Sequence, residues 1–302
     1  TYHQTIYGKT STSSLYSEQI VQSGNVQNQG IELSLGYRNT FGKIGVSSVL
    51  TYTLNQNKIK ELSKASVNQQ GIPEIQKAYL GASSVAPQVI LREGGTMSDI
   101  YIKHELKRDP NGSIAIDPSS GNLSMQEVGQ RKAGHLAPNY NMGWNNSISY
   151  QGLTLGFVLS ARVGGLAYSA TQGILDYYGG SKATADARDN GGVPVNFGKV
   201  DAKKYYQTIA TAEGGYGSYY LYSATNVRLQ ELSLSYDLPK KWFNNKLNLS
   251  IGLLARNLWM IYCKAPFDPE LSASTSSNYY QGVDYFMLPS TRNIGFNVKV
   301  QF

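Results

Sequence analysis

The sequence predicts an all-β fold, a transmembrane antiparallel β-barrel wall of about ten strands. Three observations carry that prediction. Segment after segment alternates apolar and polar residues with a period of two. The polar partners are mostly uncharged: charged residues make up only 16% of the 302, and Tyr (23) far outnumbers Phe (8). The connections between segments are alternately short and long. No run of about 18 apolar residues exists to form a membrane helix, but barrel strands alternate and need none.

The segments run in order along the chain. Residues 1–9 are a weak first strand. In "GIELSLGYRN", Ile31, Leu33, Leu35 and Tyr37 face away from Glu32, Ser34, Gly36 and Arg38. "KIGVSSVLTYTL" sets Ile44, Val46, Leu50, Tyr52 and Leu54 against Ser47, Thr51 and Thr53. Two weaker candidates follow at 84–91 and 96–104. "MGWNNSISYQ" and "GLTLGFVLSARV" set Trp144, Ile148, Tyr150, Leu153, Leu155, Phe157 and Leu159 against Asn145, Ser147, Ser149, Thr154, Ser160 and Arg162. "LQELSLSYDLP" and "KLNLSIGLLARN" repeat the pattern, with Leu232, Leu234, Tyr236, Leu247, Leu249, Ile251 and Leu253 on one side and Arg256 on the other. The chain closes on "NIGFNVKVQF", with Ile294, Phe296, Val298, Val300 and Phe302 on one face. No long helical period appears.

Tight connections fall at 40–41, 94–95, 151–152 and 237–246, and long ones at 10–27, 55–83, 105–141, 163–225 and 259–288. Antiparallel strands with short turns at one end and long loops at the other form the outer-membrane barrel pattern. Strands running toward the short-turn end close on Tyr37, Tyr150, Tyr236 and Phe302, all in the apolar phase. Tyr52 and Trp259 close the opposite end in the same phase. Such rings of amphipathic aromatics suit the two membrane interfaces; ordinary sheet packing of Tyr is the plainer alternative. The apolar face is then expected to meet lipid, with Arg38, Arg162 and Arg256 facing the lumen.

The remaining residues point to little chemistry. Cys263 is alone, so no internal disulfide forms. The net charge of +7 is not clustered, and nucleic-acid binding is not expected. His3, His104 and His135 lack metal-ligand spacing, and no metal or other cofactor is expected. In "RDPNGSIAIDPSSGN", Asp109, Asn111 and Asp117 read as two Asp-Pro turns flanking a hairpin tip rather than a calcium site. No G-x-S-x-G motif marks a serine nucleophile, and catalysis is not expected. The start, "TYHQTIYGKT", reads as mid-strand, so an interior cut of a longer polypeptide is expected.

Several stretches resemble SusC/RagA-type TonB-dependent outer-membrane transporters. They are "NVQNQGIELSLGY" (25–37), "RKAGHLAPNYNMGWNNSISYQGLTLGFVLSARVGG" (131–165), "VRLQELSLSYDLPKKW" (227–242), "LNLSIGLLARNLWMI" with its following "DPE" (247–270), and "LPSTRNIGFNVKVQF" (288–302). The resemblance implies that residues 1–302 are the C-terminal portion of a 22-stranded barrel. The plug and TonB-contacting segment would lie elsewhere in the parent, the long loops outside, and the C-terminus at the periplasmic end. It also implies a SusD-like lipoprotein lid over the loops and a glycan or oligopeptide as imported cargo. Phe302 is similar to the terminal aromatic read by the barrel assembly machinery.

Within the loops, Tyr205, Tyr206, Tyr216, Tyr219, Tyr220, Tyr279 and Tyr280 are candidates for substrate or lid contact, since Tyr offers a rigid surface with a polar tip. Loop self-packing is the alternative. Two other classes stay open. A complete ten-stranded outer-membrane protease would need clustered acids and a His, for which His104 beside Glu105 is the one hint. A soluble surface glycan-binding β-protein would stay in solution without detergent.

Overall fold

A computed structural model describes residues 2–9, 18–62, 74–80, 86–210, 218–244, 246–271 and 281–301; the side chains of 2–9, 18–23 and 75–78 are outside the description. The elements are β1 (Tyr2–Lys9), β2 (Glu18–Phe41), β3 (Ile44–Leu62), β4 (Glu74–Tyr79), β5 (Gln88–Arg92), β6 (Asp99–Leu106), β7 (Met125–His135), β8 (Tyr140–Tyr150), β9 (Leu153–Val163) and β10 (Leu166–Ser169). Then come α1 (Ala170–Tyr177), α2 (Lys182–Asp189), β11 (Val193–Val195), β12 (Gly198–Val200), α3 (Ala202–Ala210), β13 (Leu221–Ser223), β14 (Asn226–Asp237), β15 (Asn248–Cys263), β16 (Val283–Asp284) and β17 (Asn293–Gln301).

The alternating segments build one eight-stranded sheet in the order β1-β2-β3-β8-β9-β14-β15-β17. Every pairing in it is antiparallel. Among the described residues each outer strand, β1 and β17, pairs on one side only, so the sheet is an open wall and not a closed barrel. Sequence periodicity gave ten wall strands. Two of those ten, at 84–91 and 96–104, instead fall in a separate sheet ordered β4-β5-β6-β7. Their composition explains it: "QVIL" and "DIYI" are buried at every position, so both faces are covered, which a lipid-and-water wall strand cannot satisfy. Their removal takes out two strands and one short turn, so the alternation of turn lengths survives. The tight turns of the wall join β2 to β3, β8 to β9 and β14 to β15 at one rim. The Gly94–Gly95 turn belongs to the other end, where it bonds the backbone of Ile59.

The wall has no core. Its apolar residues sit on one face and are open: Leu35 is 56% exposed, Leu253 60% and Phe296 81%. One cross-strand row near the short-turn rim reads Phe41, Ile44, Tyr150, Leu153, Tyr236, Ile251, Val298. From Ile44 to Leu54 is ten residues; at about 3.3 Å each and a tilt of roughly 40°, the apolar band stands about 25 Å tall, the height of a barrel's lipid band. The paired charges Glu32, Arg38, Arg162, Arg228, Glu231, Asp237, Arg256 and Lys299 take the opposite phase, among Ser, Thr, Asn and Gly, while Lys58, above the apolar band, shares the outward phase. A charge on the apolar face at mid-depth would cost about 2–4 kcal/mol.

That polar face is tightly fitted. A Cβ added to Gly156 would come within 2.5 Å of Ser233 Oγ, one added to Gly45 within 2.5 Å of Ser149 Oγ, and one added to Gly143 within 2.7 Å of Thr51 Oγ1. Each hydroxyl leans across to its glycine, and Thr51 Oγ1 donates to the Gly143 carbonyl at 3.3 Å. Gly156→Val is therefore expected to destabilise the wall by about 1–3 kcal/mol through overpacking, read as a lower midpoint in denaturant titration of the folded receptor. Gly295→Val, whose added Cβ meets nothing within 4 Å, is the matched control.

The buried core lies beyond the long-loop rim. β2 and β3 run past the band, and their Val26, Ile59 and Leu62 join a cluster with Leu91, Ile100, Leu106, Tyr168, Tyr205, Ile209 and Tyr220. The expected 10–27 loop is thus largely strand, since residues 18–26 pair with β1. Sequence periodicity also missed the three α-helices among the described residues: at eight or nine residues each, they are too short to show a period.

Candidate functional site

The segment between β9 and β14 builds a helical platform over the long-loop rim. α1 starts at Ser169, whose hydroxyl accepts from Gln172 N at 3.0 Å and donates to Asp284 Oδ2 at 2.6 Å. β10 pairs with β13 and, in parallel, with β16, so the two long connections after β9 and after β15 are knitted together at fully buried Tyr168. α2 starts at Ser181, which caps Thr184 N. α3 crosses both other helices and brings Tyr205 and Tyr206 with it.

A cleft of about 610 Å³ opens between the helices, lined by Asp176, Tyr177, Tyr178, Arg188, Lys203 and Tyr206 among others. Tyr178 is 75% exposed. Asp176 is buried at its floor and accepts from Gln172 Nε2 at 2.7 Å and from Tyr220 OH at 3.0 Å. Burial, then the Asp176 charge, pushes the Tyr220 phenol far up, so it stays a neutral donor. Tyr206 is raised by burial and by Asp176 and Asp186, and its hydroxyl donates to Ala183 O at 3.3 Å. The cleft thus offers aromatic faces, two cations and neutral hydroxyls, a set suited to recognition rather than bond-breaking.

The tyrosine candidates separate on this geometry. Tyr205 and Tyr220 are 8% and 2% exposed and belong to the core, so they present no face to a ligand; this corrects the expectation for both. Burial pushes Tyr205 well up. Tyr206 lines the cleft, and Tyr219 keeps a part-exposed edge. Tyr216, Tyr279 and Tyr280 lie outside the described residues, as does Phe302. Tyr177, Tyr178 and Arg188 line the cleft and were missed, because a short amphipathic helix gives them no pattern.

The girdle candidates occupy the open face of the wall. Tyr37 and Tyr150 are about half exposed, Tyr236 less so, and Trp259 is 61% exposed. Tyr52 stacks on Tyr140 with ring centroids 5.4 Å apart. Phe41, not Tyr37, stands in the ladder row of Tyr150 and Tyr236 and was missed, because the strand runs two residues further than its alternation suggested. On the polar face, Arg38 is exposed, Arg162 Nη2 donates to Leu136 O at 2.9 Å, and Arg256 Nε pairs with Glu231 at 3.1 Å.

A further pair ties two of the quoted sequence stretches together. Arg228, from "VRLQEL", reaches Asp268 Oδ1 at 2.7 Å and Glu270 Oε2 at 3.3 Å, in the "DPE" loop after β15. Both Arg228 and Asp268 are nearly buried. Burial works to raise the Asp268 carboxyl, but hydrogen bonds from Arg228, Glu270 N and Ser290 outweigh it and hold it below the usual range.

The remaining candidates are structural. Asp109 Oδ1 accepts from Asn111 N and Ser113 N, and Asp117 accepts from Ser119 and Ser120, so both are turn caps as expected. Glu105, the acid paired in sequence with His104, instead bonds Arg131 and Ser218. His135 Nδ1 lies 2.7 Å from Ala137 O, and the His3 side chain is outside the description. Among the described residues no cluster of His, Cys, Asp or Glu could hold a metal ion.

Fold and surface together define an open antiparallel β-wall, apolar on one face and polar on the other, with a loop assembly at one rim. Comparison with known proteins agrees. No family model matches the chain. It is 24% identical over 311 aligned residues to TonB-dependent receptor P3 of Formosa agariphila, covering 95% of this chain and 30% of that protein. It superposes on a solved structure of the RagAB peptide importer in the closed-closed state with a TM-score of 0.67, at 19% identity, over 99% of this chain and 32% of that one. The open-open state gives a TM-score of 0.64 at 18% identity, over 99% and 31%. The chain thus fits a part of a SusC/RagA-type TonB-dependent receptor, as the quoted stretches implied, and spans about a third of the length of the relatives it matches. These relatives are a receptor and importers, not enzymes.

Proposed function

We propose that residues 1–302 are the C-terminal barrel portion of a SusC-like transporter that imports a bulky nutrient across the outer membrane. The observation that carries this is the eight-stranded wall: one face carries an apolar, uncharged and uncovered band, and the other is polar and charged. A soluble glycan-binding protein would have to cover the apolar face. Lipid covers it here, with Tyr37, Tyr150, Tyr236, Tyr52 and Trp259 at the interfaces, and the Ser/Thr/Asn/Gly face with Arg38, Arg162 and Arg256 lines a wet lumen.

In this reading the helical platform faces outward and meets both cargo and a SusD-like lipoprotein lid. Its cleft, with Tyr206, Tyr178, Arg188 and Lys203, takes the first contact with cargo leaving the lid. The likeness to peptide importers favours an oligopeptide over a glycan. Energy comes from TonB through a plug supplied by the parent, and the assembly machinery reads Phe302 at the periplasmic end. Cells carrying the full-length receptor and its lipoprotein partner should take up a fluorescent oligopeptide, and an uncoupler should abolish the uptake. Uptake that survives the uncoupler, or that occurs for neither a peptide nor a glycan, would overturn the reading.

A further inference from the structure

The upper edge of the apolar band on β2 and β3 is sharply drawn. In the outward phase, the cross-strand pair Ile31–Leu54 is followed by Gln29–Gln56 and then Gln27–Lys58. Gln27 Nε2 donates to Gln29 Oε1 and Gln29 Nε2 to Gln56 Oε1, both at 3.4 Å, which makes an amide ladder directly above the last aliphatic pair. The next change is a bulge, where Ile59 pairs with Val26 and Glu61 with Asn25, leaving Lys60 as the extra residue.

The wall also parts at this height. β3 pairs with β8 only as far as Thr53. Above that, Ile59 bonds instead to Gly94 and Gly95. The slot between holds a cleft of about 820 Å³ whose lining includes Gln27, Gln29, Gln56, Lys58, Lys60 and His135. Two lysines and a histidine line it, and no Asp or Glu does. Among the described residues, neither Lys58 nor Lys60 makes an ion pair. Elsewhere on the wall Arg228 pairs with Asp268 and Arg256 with Glu231, and in the neighbouring four-stranded sheet Lys132 pairs with Asp99.

We infer that this cleft is a binding site for the phosphate of an outer-leaflet glycolipid, with the amide ladder bonding its sugar and the band from Leu54 to Ile44 taking its acyl chains. Lys58 stands four residues above Leu54, about 10 Å in height at barrel tilt, and a lysine stem can reach down several ångströms to a headgroup. An ammonium is a compact point charge that suits a phosphate, and Gln side chains offer both donors and acceptors to hydroxyls. The inference rests on the proposed membrane orientation, which puts this rim at the outer leaflet.

The test uses the full-length receptor extracted from outer membranes, with its level there measured first. Native mass spectrometry then reads retention of added diphosphoryl lipid A, its dephosphorylated form, and inorganic phosphate. Wild type should retain the diphosphoryl lipid, and K58Q/K60Q should lose at least tenfold of that retention. K58R/K60R should keep it, and Lys43→Gln at the opposite rim should change nothing. Equal retention by K58Q/K60Q and wild type would overturn the inference. So would equal binding of the dephosphorylated lipid, while inorganic phosphate that displaces the lipid at millimolar concentration would make the cleft a free-phosphate site and overturn the lipid assignment. A double-Gln chain that never reaches the membrane shifts the decision to K58R/K60R, where loss of retention overturns it. A wild-type receptor absent from the outer membrane would instead sink the membrane reading itself.

Discussion

Leu35→Arg is expected to cost the folded receptor about 2–4 kcal/mol in a bilayer, while Ser34→Arg, one residue away, costs little. The two differ only in face. Leu35 is open on the apolar side at mid-depth, between Ile31 and Phe41, and Ser34 shares the polar side with Glu32 and Arg38. On the apolar face the guanidinium has no water and no acceptor within the wall. On the polar face, the proposed lumen side, it joins Arg38, Arg162 and Arg256. A gel assay of folded against unfolded receptor, titrated with denaturant in lipid vesicles, reads the difference. Equal penalties at the two positions would mean that both faces of the sheet see the same medium.

Arg228→Met is expected to destabilise the loop assembly by about 3–5 kcal/mol, because it strands Asp268 and Glu270 beside a nearly buried site. Adding Asp268→Leu should recover much of that loss, since the uncompensated carboxylate and not the missing contact carries the penalty. The effect has a pH signature. Asp268 is held below its ordinary value in the fold, so its pairing adds stability above pH of about 4 and loses it as pH falls through the lowered value. The gap between wild type and Arg228→Met should therefore narrow below about pH 4, measured as the shift in unfolding midpoint. A gap that is constant from pH 7 to pH 3 would show that the ion pair does not contribute.

The wall was legible in the sequence because its faces differ with period two: in the proposed orientation, lipid on one side and water on the other force every second residue to match. That rule recovered the faces of all the strong segments, from Ile31 to Val300. It failed at "QVIL" and "DIYI", which carry strong strand character yet sit in a protein core, where alternation is not required. The platform was less legible. Its helices run eight or nine residues and are held by caps at Ser169 and Ser181 and by buried contacts from distant loops. Counting tyrosines found the right loop but could not separate Tyr206, which lines the cleft, from Tyr205, its neighbour in the core. Arg228 and the "DPE" loop were each visible as motifs, but their pairing spans 40 residues and needed the register of β14 against β15.

Which side of the wall meets lipid can be measured directly on β15. In a cysteine-free background that includes Cys263→Ser, single cysteines placed at residues 249 to 254 of the full-length receptor carry a fluorophore in proteoliposomes. A lipid-borne quencher should act at 249, 251 and 253, and a water-borne one at 250, 252 and 254. Quenching from water at all six positions, or no alternation between them, would contradict a membrane-spanning wall.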